Sequence, residues 1–417
     1  MRRFSVNMLG VLGLFWIAVS EANAQEVTLL TVDKCLESAL KLNASVQISK
    51  LKADQAQYRE AGSAGAMFPT LSSSLYEAVS TDQPVTAINV KATQPLFLGG
   101  ELIARKHKME AQHGIASTAT ELTRVDVAYT VKRTFYEIKK AEAEVKLLEE
   151  ELIHAKRVRE ANEKLVGENY QTQSALLERI AQVAQIEKAL VEKEQSLSYL
   201  TQYLQQITGL DSHSSYVLED IREVQPTDFS SGDVPENTPF FHSLDLHIAE
   251  AEQDLKIAKS SYWPKAYLVS QYRREKDSFY EKNALEAGVL VKFNIWDFGI
   301  TSNEINTKHA ELEEQKLVKE SGIQMYKLEF QKAVEVLSAE LKAVLISKQA
   351  VAAAEEEFKN MKVKHMQGDI SDLAMHEAEI QMLRAKTEVT KASCDYWIGK
   401  AEVIRLIGGP KSVMKDE

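Results

Sequence analysis

The side chains able to do chemistry are thinly spread along this chain of 417 residues, which has nine histidines and two cysteines. A metal centre needs His, Cys or carboxylate ligands grouped at helical or turn spacings, and a nucleophile needs a base held against it. His242 and His247 are five apart, which places them on different faces of a helix. No glycine-rich phosphate loop or nucleophile elbow occurs. The histidines read as solvated surface residues, and neither an enzyme, a metal nor a cofactor is expected. Cys35 and Cys394 lie at opposite ends of the chain. They either pair across packed terminal helices or sit apart as small buried hydrophobes, the second being the preferred reading.

One polar group stands out: Asp369, Asp372, His376 and Glu377, just past Gly368. Repeated about a symmetry axis, Asp369 and Asp372 would form a ring of carboxylates that repel one another and attract cations. As the opening turn of a helix they are explained equally well by the helix dipole. Without a reactive centre, function is expected to lie in geometry and lining charge.

The elements that must position these residues are long. No proline occurs from Leu96 to Gln225 or from Lys265 to Gly409, as uninterrupted helices require. Val131, Phe135, Ile138, Val145, Leu148, Leu152, Ala155 and Leu165 recur at spacings of three, four and seven, with ten (three plus seven) at the last step, and Leu176, Ile180, Val183, Leu190, Leu197 and Leu204 continue the rhythm. Gly167 and Gly368 each mark a helix reversal. A helix from Glu101 to Val166 would be roughly 100 Å long at 1.5 Å per residue, too long for a compact domain. The exposed reversals, Lys164, Val166, Gly167 and Glu168 in the first and Gln367, Gly368 and Asp369 in the second, are either plain turns or partner-docking tips.

The second half repeats the first at a shift of about 195 to 200 residues. Met67-Phe68-Pro69 answers to Tyr262-Trp263-Pro264, Gly167 to Gly368, and Leu204 to Gly209 answers to Ile404 to Gly408. Before each hairpin lies a strand pair. Ile88, Val90, Ala92 and Leu96 alternate with Asn89, Lys91 and Thr93, and Leu285, Ala287, Val289, Val291, Phe293 and Ile295 alternate with Glu286, Lys292 and Asn294. Phe68, Phe97, Trp263 and Trp296 sit at one end of these strands, where a membrane-interface girdle would lie. Amphipathic hairpins covering a soluble core would show the same alternation. Four strands cannot close a conducting barrel, so the membrane reading demands an oligomer, and a trimer would supply twelve.

The first residues concern export. Arg2 and Arg3 precede an apolar run from Val6 to Val19, and Glu21-Ala22-Asn23-Ala24 is a small-residue cleavage pattern. The composition is 44% hydrophobic and 7% aromatic with a formal net charge of −11, a balance that suits long helices and argues against nucleic acid as a partner.

Gln94-Pro95-Leu96-Phe97-Leu98-Gly99-Gly100, Trp296-Asp297-Phe298-Gly299, the hairpin glycines and the Leu-x-x-Ile-x-Gly ending resemble the TolC family of outer-membrane efflux proteins. The resemblance spans nearly all of the chain after the leader, including a helix from Leu29 to Phe68; the usual Asn-Pro after the first helix is replaced by Asn43-Ala44. It implies a mainly α fold with a small β part: duplicated coiled-coil hairpins and four membrane strands per chain, assembled as a homotrimer with a shared barrel and an α-helical tunnel. The implied setting is the outer membrane of a Gram-negative bacterium, in contact with lipid, a periplasmic adaptor and an inner-membrane pump. The expected layout is a signal peptide at 1–24 and a first repeat at 25–210, with its strand pair at about 69–97 and hairpin at about 101–209. A linker at 211–239 precedes a second repeat at 240–410, with its strand pair at about 265–296 and hairpin at about 300–408, and a tail at 411–417. The alternative function is a periplasmic coiled-coil adaptor or scaffold.

Overall fold

The computed structural model describes residues 28–80, 83–168, 170–210, 216–226, 238–276 and 280–408. The expected leader, the tail and parts of the linker and strand turns lie outside these residues. In chain order the elements are β1 (Thr28–Leu30), α1 (Val32–Leu42), α2 (Ala44–Gly65), β2 (Thr70–Ser80), β3 (Gln83–Phe97), α3 (Glu101–Gly167) and α4 (Gln173–Thr208). There follow β4 (Tyr216–Leu218), α5 (Pro239–Ser260), β5 (Lys265–Lys276), β6 (Glu281–Lys292), α6 (Ile300–Gln367) and α7 (Asp372–Ile407).

The two long helices set the scale. At 67 and 68 residues, α3 and α6 each run about 100 Å. A helix of that length is held by packing along its sides, because propensity alone contributes little. Two shorter helices flank each one, end to end: α2 and α4 along α3, α5 and α7 along α6. The paired helices match in length, α2 and α5 at 22 residues and α4 and α7 at 36, so the sequence repeat is a structural one.

Where α2 and α4 meet, Asn43 joins them. Its side-chain NH2 donates to the Ile207 carbonyl at 2.9 Å, while its oxygen accepts from the Ser45 N–H and caps α2. Gly209 closes α4 at φ +67°, so close that an added Cβ would stand 2.8 Å from the Leu42 Cβ. The expected single helix from Leu29 to Phe68 is therefore broken at Asn43, whose ψ of 128° leaves the helical region. The break persists without the proline. At the corresponding joint of the second repeat, Gly408 closes α7 against Thr238 and Pro239 at the start of α5. Thr31, Thr172, Thr238 and Ser371 cap their helices with side-chain oxygens, each satisfying one N–H that the first turn cannot.

The four longer strands form one antiparallel sheet in the order β2-β3-β5-β6, which joins the two hairpins along β3 and β5. The second strand pair ends at Lys292, short of the expected 296; Phe293 and Ile295 follow in irregular chain on the approach to α6. The linker also holds an element that sequence patterning missed. Tyr216–Leu218 pairs in parallel with Thr28–Leu30. The stretch after it lies against the helices: Tyr396 Oη donates to the Gln225 carbonyl at 2.8 Å and Trp397 Nε1 to the Arg222 carbonyl at 3.2 Å.

The apolar core sits at this level. One cluster gathers Cys35, Leu36, Val131, Phe135, Ile138, Leu204 and Cys394, and another gathers Tyr326, Phe330, Leu337, Val344, Tyr396 and Val403. Both cysteines are free thiols with no exposed surface, and burial pushes each up to about 12. They pack as small hydrophobes, the preferred sequence reading.

Candidate conduit and docking tips

Residues directly opposite across a ladder share a face of the sheet. Leu71 stands opposite Ala92, Leu75 opposite Ile88, Val90 opposite Tyr272, Tyr272 opposite Leu285 and Leu268 opposite Val289. The other face pairs Ser72 with Lys91, Lys91 with Gln271, Gln271 with Glu286 and Asn89 with Arg273. The apolar face has no core against it, since Leu71 is 76% exposed and Leu285 75%. That removes the soluble-core reading: a band of this size left in water would be a large uncompensated cost. β2 and β6 each have a partner on one side, so the sheet offers two open edges.

Below the strands the chain turns sharply into the long helices. Gly99 stands at φ +63°, where an added Cβ would lie 2.7 Å from the Trp263 Cβ and 2.8 Å from the Ser260 carbonyl, so glycine alone fits. Gly100 and Gly299 begin α3 and α6 with left-handed backbone and no capping side chain. At α6 Asp297 takes over the cap, accepting from the N–H groups of Gly299 at 3.1 Å and Thr301 at 2.9 Å. The bonds from Thr301 are the main reason its carboxyl lies below the ordinary range. At the start of α3 Glu101 binds Lys265 of β5 and Arg105, both at 2.6 Å. Burial works to raise the Glu101 carboxyl, but the hydrogen bonds and charges of Lys265 and Arg105 outweigh it and hold it low.

The four aromatics expected at the membrane boundary all stand at this end of the sheet and all are exposed: Phe68 precedes β2, Phe97 ends β3, Trp263 precedes β5 and Trp296 follows β6. Phe97 meets Trp263 edge-on at 6.4 Å, and Trp296 meets Phe298 edge-on at 6.0 Å.

Farther along, α3 and α7 share a polar seam that the sequence did not reveal. Lys140 binds Asp395 at 2.7 Å, Arg384 binds Glu151 at 2.6 Å, Arg157 donates to His376 at 2.7 Å and His154 binds Glu377 at 3.1 Å. Reading every histidine as solvated surface was wrong for His154, whose side chain is only 14% exposed. Residues more than two hundred positions apart carry no spacing signal, so this seam was out of reach of the sequence. At the sheet-side end of α7, Arg405 gathers Glu402 at 2.7 Å, Glu329 of α6 at 2.9 Å and Asp126 of α3 at 3.6 Å, and these carboxylates raise its pKa.

The tips lie at the far end of the long helices from the sheet. Lys164, Gly167 and Glu168 are exposed and Val166 half-buried in the first; Gln367, Gly368 and Asp369 are all exposed in the second. Their geometries differ. Gly368 stands at φ +81° and completes a Schellman turn, its N–H bonding the His365 carbonyl and the N–H of Asp369 bonding that of Lys364. Gly167 is merely the last helical residue; the chain turns after it, with the Tyr170 N–H on the Leu165 carbonyl at 2.8 Å. Taking Gly167 as the reversal itself was therefore off by a few residues. Asp369 projects into solvent, while Asp372 accepts from His365 Nε2 at 2.6 Å and opens α7 in the acidic first turn.

Residues 35–210 match the sequence model of the family described as Outer membrane efflux protein. No curated protein matches the chain. The Campylobacter jejuni CmeC outer membrane channel aligns with a TM-score of 0.79 at 14% identity, over 90% of this chain and 85% of that one. The outer membrane protein VceC of Vibrio cholerae aligns at 0.71 and 15% identity, over 91% and 96%. The open-state MtrE outer membrane channel of Neisseria gonorrhoeae aligns at 0.74 and 14% identity, over 91% and 89%. At such identity these alignments establish a common fold.

Proposed function

Residues 35–210 match the outer membrane efflux protein family, and from that premise we propose that the chain belongs to it and that three copies form a passive duct, a barrel of twelve strands continuous with a tunnel of long helices. The observation that carries this reading is the uncovered apolar band on a sheet with two open edges, set directly on helices about 100 Å long. Backbone groups at a strand edge must be paired inside a bilayer, and pairing β6 of one copy with β2 of the next satisfies both edges. The aromatics at the helix end of the strands then lie at the periplasmic interface, where amphipathic rings are favoured. Neither the seam nor the cores described above bring a nucleophile, base and acceptor pocket together, so the proposed role is conduction.

The two tips, Lys164 to Glu168 and Gln367 to Asp369, are proposed as the docking surface for a periplasmic adaptor that couples the duct to an inner-membrane pump. Asp369 and Asp372 of three copies would together line the tunnel mouth. Fractionation tests the placement. Recovery with the outer membrane as a heat-modifiable oligomer is expected, and release into the soluble periplasm would instead support the scaffold alternative.

A further inference from the structure

We propose that the barrel interior is an electropositive collar that favours multivalent anionic solutes, such as those bearing several phosphate or carboxylate groups. The inference rests on the barrel reading above, with the polar face of the sheet turned inward. The ladder registers decide which charges share that face. They are Lys91, opposite Ser72 and Gln271; Arg273, opposite Asn89 and Ala284; Glu275 opposite Lys282; Glu286 opposite Gln271; and Lys265 opposite Lys292.

Several of these charges offset one another. Glu275 and Lys282 face each other directly, and Lys91 and Glu286 flank Gln271 in a single row. Lys265 is held by Glu101 at 2.6 Å. That leaves Arg273 and Lys292, two positive charges per chain and six in a trimer, although the whole chain carries a formal net charge of −11. From the Lys265–Lys292 row to the Arg273 row is eight residues along β5, about 27 Å at 3.3 to 3.4 Å per residue. Two cationic rings would therefore bracket the barrel interior. Within a lumen walled by low-dielectric sheet and lipid, like charges in a ring reinforce one another and concentrate counter-ions. An anion leaving the tunnel would meet the Lys292 ring first and the Arg273 ring next.

The test uses the full-length mature protein in a planar bilayer, with inorganic tripolyphosphate added on the barrel side. The wild-type current is expected to be interrupted in a voltage-dependent manner. In the double variant R273Q/K292Q at least tenfold more tripolyphosphate should be needed for the same block, while E286Q should need less. The unblocked conductance of each variant reports that it has folded and inserted. A conducting wild type that ignores tripolyphosphate, or a double variant blocked as readily as wild type, overturns the collar alone. Absence of any conductance overturns the duct, and the collar with it.

Discussion

Two glycines that look equivalent in the sequence do different work. Gly368 needs left-handed backbone, which costs an ordinary L-residue about 1 to 2 kcal/mol, whereas Gly167 ends its helix with helical backbone and open space around it. Gly368→Ala should therefore loosen the second tip by about that amount, and Gly167→Ala should change local stability by no more than about 0.5 kcal/mol. Hydrogen exchange at residues 364–372 and 163–168 reads both; equal protection losses would contradict the assignment. A second prediction concerns Glu101. Its folded pKa lies below the ordinary 4.5, so the carboxylate contributes stability above that value and the contribution is lost as pH falls through the lowered one. Thermal melts of the detergent-solubilised protein should steepen in acid below about pH 4.5, and Glu101→Gln should remove part of that slope. Identical acid profiles would count against the Lys265–Glu101–Arg105 link. At this scale the sequence marked the two glycines without showing how they differ and did not single out Glu101, because φ and salt-bridge partners are set by the assembled fold.

At the scale of elements the joint between α2 and α4 is the sharpest case. Asn43 caps α2 and ties it to Ile207, so Asn43→Ala should cost about 1 kcal/mol. Ala44 is the exposed first residue of α2, and Asn43 already has the extended ψ that precedes a proline comfortably. Ala44→Pro should accordingly leave the fold intact and raise stability by about 0.4 to 1 kcal/mol by restricting the unfolded chain. A clear drop in melting temperature for the proline variant would show that the Ala44 N–H or local packing matters more than this geometry allows. Long helices, their tips and the strand alternation were legible because proline gaps and heptad spacing act locally. The break at Asn43 had only a two-residue cue, and β4 and the α3–α7 seam depend on contacts across the repeat, which no local pattern encodes.

The whole molecule is explained by what one chain leaves unfinished. A single copy has an exposed apolar band, two open strand edges and helices too long to enclose a core of their own. Internal duplication showed through the sequence because the landmarks recur in order, and the membrane role followed from strand faces that the registers bear out. On the proposed reading, four strands borrow eight more from two further copies to close a conducting barrel. Three-dimensional imaging of the protein extracted in mild detergent tests this most directly. The account predicts three chains about one axis, with β6 of each beside β2 of the next in a single closed barrel above a helical tunnel. A stable monomer, or an oligomer in which the β2 and β6 edges remain unpaired, would contradict it.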